Sequence, residues 1–124
     1  KMGLKQEDLT AMGLALTCEE CAGRLDDPAL VLIDLRDNAE RRRKGVIPGS
    51  IHAPYPDLDE NVNPGGMLHE LARATGKRLV FYCAYGERSA MAVQAATGAG
   101  LDSVCHLTGG LDAWEKAGGA VAEQ

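Results

Sequence analysis

A chain of 124 residues, 45% hydrophobic and 25% charged, has the size and content of one compact domain and excludes a disordered or fibrous chain. Thirteen Lys and Arg against eighteen Asp and Glu leave a net charge of −5, which excludes the basic surplus of a nucleic-acid surface. No apolar run approaches the roughly 18 residues a membrane span needs, and no leader of basic, apolar and small residues opens the sequence. Cys18, Cys21, Cys83 and Cys105 accompany enough apolar content for a core without disulfides, so they read as thiols of a reducing, cytoplasmic compartment.

Residues 1–13 mix polar and apolar side chains up to Gly13 and read as a lead-in, either a short helix or irregular, before a domain over 14–124. Thr17 with Glu20 three residues on spells a capping box, and the short helix it opens runs to Asp26, Asp27 and Pro28. Leu30-Val31-Leu32-Ile33 is an unbroken apolar run ending at Asp34, followed by a charged helical stretch over 36–44 and a stop at Gly45. Ser50 to Ala53 is framed by turns and reads as a short strand. Residues 54–65 carry three prolines and read as irregular, while 66–75 predict a helix ending at Gly76. Leu79-Val80-Phe81-Tyr82 is the strongest strand, and Ser89 to Ala96 is rich in helix formers. Ser103 to Leu107 supplies a further strand, and Leu111 to Ala117 a closing helix after Gly109-Gly110. Strands alternating with helices predict an α/β domain: a central parallel sheet of about five strands with helices on both faces.

Reactive groups on such sheets lie off the carboxyl ends of the strands, where loops enter helices. Cys83 occupies that position. The helix starting near Ser89 and the charge of Arg88 both favour a thiolate there, the form that attacks sulfur. Gly86, in the middle of Cys83-Ala84-Tyr85-Gly86-Glu87-Arg88, permits the left-handed backbone that curls amides inward around an anion. Those amides would cradle the terminal sulfur of a persulfide on Cys83. That reading requires inward amides and an opening to solvent.

The residues now resemble the rhodanese family, from about Leu14 to Gly119. Val31-Leu32-Ile33-Asp34-Leu35-Arg36 is similar to the family's strand end, Ile47-Pro48-Gly49-Ser50-Ile51-His52 to its turn, and Cys83 to Ser89 to its C-x-x-G-x-R-S loop. Gly109-Gly110-Leu111-Asp112-Ala113-Trp114 is similar to its G-G-x-x-x-W ending. The resemblance implies a rhodanese-like fold and a sulfurtransferase with Cys83 as nucleophile. Residues Ala84, Tyr85, Gly86, Glu87, Arg88 and Ser89 would form the persulfide cradle. The implied partners are a small-molecule sulfur donor such as thiosulfate, a thiol or cyanide acceptor, and a protein donor or acceptor as a further option. Neither metal nor cofactor is implied. Cysteine phosphatases of similar design have one residue more between nucleophile and arginine, and Glu87 would repel a phosphate dianion. Val46 stands where the family usually has histidine, Arg41 where it has an aromatic residue, and the loop lacks the basic residues that recruit thiosulfate in some members.

Asp34 and Arg36, at a strand end, are read as supporting residues, paired with Arg88 or the active loop, or Arg36 with Glu40. Cys18 and Cys21 have redox or zinc spacing without two further local ligands, so they are expected to pack inward. Cys105 is expected in the core, with a resolving disulfide to Cys83 as the alternative. His52, His69 and His106 share no ligand-like spacing and receive no role. Three other functions stay open: a persulfide-relay or binding module, a phosphatase or arsenate reductase on the same fold, and a dithiol redox protein using Cys18 and Cys21.

Overall fold

The computed structural model describes residues 5–124, so residues 1–4 of the lead-in lie outside the described residues. Helix α1 (Gln6–Ala11) buries Leu9 completely, and the Leu9 carbonyl accepts the Leu14 amide at 2.8 Å as the chain turns into strand β1 (Ala15–Leu16). Helix α2 (Cys18–Ala22) carries the capping box that Thr17 and Glu20 spell: Thr17 Oγ1 accepts the Glu20 amide at 3.1 Å, and Glu20 Oε1 accepts the Thr17 amide at 2.9 Å. The same device opens α3 (Asn38–Lys44), between Asp37 and Glu40. Gly45, at φ 80°, ends that helix.

The sheet is parallel throughout, in the order β1-β5-β4-β2-β3. Its other strands are β2 (Leu30–Asp34), β3 (Ile51–His52), β4 (Arg78–Tyr82) and β5 (Val104–Leu107). Strand residues alternate between two apolar layers. Ile33, Leu79 and Phe81 pack on one face with Leu58 and Val62 of α4 (Leu58–Val62), Leu68 of α5 (Met67–Thr75) and Val93 of α6 (Glu87–Gly98). Leu32, Val80 and Tyr82 pack on the other with Cys21 of α2 and Trp114 of α7 (Gly110–Lys116). The expected sheet with helices on both faces is therefore observed. Its fifth strand, β1, is a two-residue edge with no pattern of its own, and α4 lies inside the proline-rich stretch expected to be irregular. Among the described residues, no helix is long and apolar enough to cross a membrane.

At the carboxyl end of β2 the Asp34 carboxylate is wholly buried. It accepts the Arg36 amide (3.0 Å), Arg36 Nε (3.0 Å) and Nη2 (2.9 Å), Arg41 Nε (3.2 Å) and the Tyr82 hydroxyl (2.9 Å). Arg36 also donates to the Gly45 carbonyl at 2.6 Å, and its guanidinium lies 5.5 Å from the Tyr82 ring centroid. Tyr82 in turn accepts the Ile47 amide at 3.1 Å and lies 3.0 Å from Ser50 Oγ. Burial, then the Asp34 charge, push the Tyr82 hydroxyl up to about 12. Removing one charge from such a buried set leaves the other uncompensated. Asp34→Asn, which keeps shape and loses charge, is expected to cost roughly 3 to 5 kcal/mol in urea unfolding, by the usual penalty for breaking a buried pair.

Candidate functional site

Cys83 is the first residue beyond β4, and its loop is fixed from below by α7. The carbonyls of Cys83 and Ala84 accept the amides of Leu111 (2.8 Å) and Asp112 (3.0 Å). Gly110 makes this approach possible, since a Cβ there would meet the Cys83 and Ala84 carbonyl oxygens at 2.6 Å. In a trans peptide the N–H points opposite to the C=O, so the amides of Ala84 and Tyr85 are directed away from α7. They and the amides of Glu87 and Arg88 have no backbone acceptor among the described residues. Gly86, at φ 109°, caps α6, which begins at Glu87, two residues before the expected Ser89, and donates its amide to Cys83 Sγ at 3.1 Å. The loop thus directs one amide, that of Gly86, at the sulfur.

The thiol itself has no solvent exposure, so the opening that the sequence reading requires is closed in this conformation. Glu87 Oε1 lies 3.9 Å from Sγ and Ser89 Oγ 3.7 Å. Glu87 is exposed and Tyr85 is 66% exposed, so these two side chains are the part of the loop free to move. Beside Tyr85 a cleft carries Arg43 and Lys44 of α3 opposite Asp112 and Glu115 of α7. Cations beyond Arg88, the loop's own, are thus supplied at its rim by another helix.

Arg88 turns away from the sulfur and grips Glu40 of α3 through two bonds, Nη1 to Oε1 at 2.9 Å and Nη2 to Oε2 at 2.8 Å. The expected pairings of Arg36 with Glu40, and of Arg88 with Asp34, are both replaced. Arg36 binds Asp34, and Arg88 takes the carboxylate that the capping box leaves facing the loop. Hydrogen bonding to Glu40 raises Arg88 above its ordinary value. The same bonds hold Glu40 down at about 2. Burial would lower Arg36, but the hydrogen bonds it donates to Asp34, and the Asp34 charge, outweigh that and raise it. His52 Nε2 meets the Arg36 carbonyl at 2.7 Å and His69 Nδ1 the Val62 carbonyl at 2.7 Å.

Ser89 and His106 are both fully buried beside Cys83. Ser89 Oγ donates to the Gly86 carbonyl at 3.1 Å and lies 3.0 Å from His106 Nδ1. His106 has no role in the sequence reading because it shares no ligand-like spacing with the other histidines or with an acidic cluster. The available signal was the topology, since β5 lies beside β4 and ends at the same edge of the sheet as Cys83. Cys105 pairs in register with Val80 and packs in the layer opposite Cys83, so the resolving disulfide has no geometric basis. Cys18 and Cys21 pack inward as expected. Burial raises both thiols, Cys21 to about 11 with further contributions from Cys105 and Cys18, which opposes a dithiol redox role.

A thiol just beyond a central parallel strand, with one loop amide directed at its sulfur where the loop enters a helix, defines a parallel α/β domain that carries a cysteine on a short loop. The sequence matches the rhodanese-like domain family over residues 17–117, and the chain belongs to that family. It is 33% identical over 104 residues to thiosulfate sulfurtransferase/rhodanese-like domain-containing protein 3 of Mus musculus, covering 80% of this chain and 66% of that protein. An uncharacterised Synechocystis protein is 34% identical over 73% of this chain and 45% of its own. The chain thus spans under two thirds of both relatives. Among solved structures, a Rhodopseudomonas palustris protein of unknown function, described as a "possible tyrosine phosphatase", superposes with a TM-score of 0.82 at 32% identity, over 94% of this chain and 89% of its own. The thiosulfate sulfurtransferase of Pseudomonas aeruginosa gives 0.72 at 25% identity, over 93% of this chain and 21% of that one.

The Glu40–Arg88 pair has a testable pH signature. Glu40 binds its proton less readily in the fold than in the unfolded chain, at about 2 against 4.5. Its contribution is therefore complete above about pH 4.5 and is lost as pH falls through about 2. Glu40→Gln is expected to lower stability at neutral pH by roughly 1 to 3 kcal/mol, after discounting for partial exposure, and the deficit should shrink toward pH 2 in urea midpoints measured across that range.

Proposed function

We propose that this domain is a sulfurtransferase that moves a sulfane sulfur through a persulfide on Cys83. The observation that carries the proposal is the Gly86 amide directed at Cys83 Sγ, at 3.1 Å, within a loop whose neighbouring amides are unpaired. The Cys83 thiolate attacks the outer sulfur of the donor. A new S–S bond forms, the donor's own S–S bond breaks, and the inner group leaves with the electron pair, as sulfite from thiosulfate or as a thiolate from a thiol persulfide. The terminal sulfur, now anionic, is held by the loop amides. A thiol or cyanide acceptor then attacks that sulfur, and Cys83 departs as thiolate. Sulfur displaces sulfur in the first step, and neither step demands a redox cofactor.

The rim bears on the donor. Glu87 stands 3.9 Å from the sulfur and repels a thiosulfate dianion more than a thiol persulfide. The cleft beside Tyr85 carries both charge signs, which suits a zwitterionic thiol persulfide or the surface of a protein donor. A persulfide-relay module uses the same steps and differs only in accepting sulfur from a protein. The phosphatase reading is favoured by the Rhodopseudomonas neighbour's description, and disfavoured by the four residues, Ala84 to Glu87, that separate nucleophile from arginine.

Incubation with thiosulfate, and separately with glutathione persulfide, is expected to add ~32 Da to wild type and nothing to Cys83→Ser, read by mass spectrometry of the folded protein. Sulfite release and sulfide release give the two donor rates. Absence of the adduct with both donors, together with hydrolysis of p-nitrophenyl phosphate that depends on Cys83, would replace the sulfur reading with the phosphatase one. Glu87→Gln is expected to raise kcat/KM for thiosulfate by roughly 1.5- to 5-fold, the range for an exposed charge pair, with a smaller change for the thiol persulfide.

A further inference from the structure

Ser89 and His106 take no part in the steps above, yet both are fully buried against the reacting sulfur. Their hydrogen bonds can be counted. Ser89 Oγ has one hydrogen and three neighbours: it donates to the Gly86 carbonyl at 3.1 Å, lies 3.0 Å from His106 Nδ1, and accepts from the Cys83 thiol at 3.7 Å, a bond that must reverse once the sulfur has lost its proton. His106 Nε2 is buried and has no partner among the described residues. Burial lowers the imidazole, so it is neutral and carries one proton, on Nδ1 or on Nε2.

A proton on Nε2 would leave a buried N–H with no acceptor, the rarer and costlier kind of orphan. It would also oblige Ser89 to give its only hydrogen to Nδ1, leaving the Gly86 carbonyl without it. A proton on Nδ1 avoids both. His106 then donates to Ser89 Oγ, and the hydroxyl hydrogen is free to swing between the Gly86 carbonyl and the Cys83 sulfur. The carbonyl is the better acceptor for a neutral thiol, and the sulfur is the better one once it is an anion. The other groups facing that sulfur are Glu87, whose charge opposes an anion, and Arg88, whose charge is engaged by Glu40.

We propose that His106 is a positioning residue which, through its Nδ1–H and the Ser89 hydroxyl, supplies a switchable hydrogen-bond donor to Cys83 whenever that sulfur is anionic. Within the sulfur-transfer reading, on which the proposal's catalytic meaning rests, the donor acts twice. It serves the thiolate that awaits a donor and the thiolate that leaves when an acceptor takes the outer sulfur. No bond to His106 is made or broken.

Two measurements test this without any sulfur donor, so their failure is distinguishable from failure of the sulfur-transfer reading. In ¹⁵N-labelled wild-type protein, the His106 ring is expected to show a protonated Nδ1 and an unprotonated Nε2. The opposite tautomer, or a doubly protonated ring at neutral pH, would overturn the proposal whatever the variants do. Alkylation of Cys83 by iodoacetamide at fixed pH is the second readout. His106→Asn places an amide donor where Nδ1 stands, whereas His106→Gln places it where Nε2 stands. The alkylation rate is expected to fall by about three- to tenfold in Ser89→Ala and in His106→Gln, the range for a weak bond to a charged acceptor, and to be restored largely by His106→Asn. Thermal unfolding of each variant is the control. Equal losses in the Asn and Gln variants, tracking their stability, or an unchanged rate in Ser89→Ala, would reduce His106 to a packing residue.

Discussion

The site depends on one buried carboxylate. Asp34 ends β2 and gathers donors from Arg36, from Arg41 of α3 and from Tyr82, the last residue of β4. A carboxylate without solvent is costly unless its lone pairs are met by well-placed donors, and here five are. The consequence is positional. Tyr82 cannot shift without breaking its bonds to Asp34 and to the Ile47 amide, and Cys83 is the next residue. The same carboxylate holds α3 through Arg41, and α3 carries Glu40, which grips Arg88 on the far side of the loop. Both ends of the loop are thereby referred to a single charged atom pair at the edge of the sheet.

A second restraint comes from α7. By taking the carbonyls of Cys83 and Ala84 it fixes two peptide planes, and the amide of each plane points away from α7. The absence of a side chain at Gly110 is what lets two backbone segments approach so closely. The loop is therefore rigid at its base and at its arginine, and its remaining freedom lies in the exposed Tyr85 and Glu87. Under the proposed function, a thiol buried in this conformation would need motion at the loop to meet a donor. Under the proposed sulfur transfer, the same burial would shield a persulfide from stray thiols.

The strong strands, the two-layer sandwich and the position of Cys83 were legible in the sequence because each rests on local signals: apolar runs, the Thr17–Glu20 box and glycine stops. Strand β1 was not, since two residues at a sheet edge carry no period and owe their conformation to pairing with His106 and Leu107 of β5. Helix α4 was hidden by prolines that flank it and do not interrupt it. The charge pairs were misassigned for a related reason. Glu40 lies one helical turn from Arg36 in sequence, but its carboxylate faces Arg88, which is distant along the chain. Side chains at the mouth of a parallel sheet converge from separate βα units, and spacing along one unit says little about them.

The electrostatic division of the loop bears on what it holds best. Arg88 is the only formal cation within the active loop, and Glu40 neutralises it at 2.8 Å. What faces the sulfur is the Gly86 amide and one serine hydroxyl, with Glu87 adding negative charge nearby. Amide donors stabilise a monoanion well, whereas a phosphoryl dianion draws most of its stabilisation from formal charge delivered by arginine or a metal ion. A loop whose arginine is occupied in holding another helix is thus matched to a persulfide sulfur. The cations that remain, Arg43 and Lys44, stand in the outer cleft, where, under the proposed function, they would meet the body of the donor and not its reacting atom.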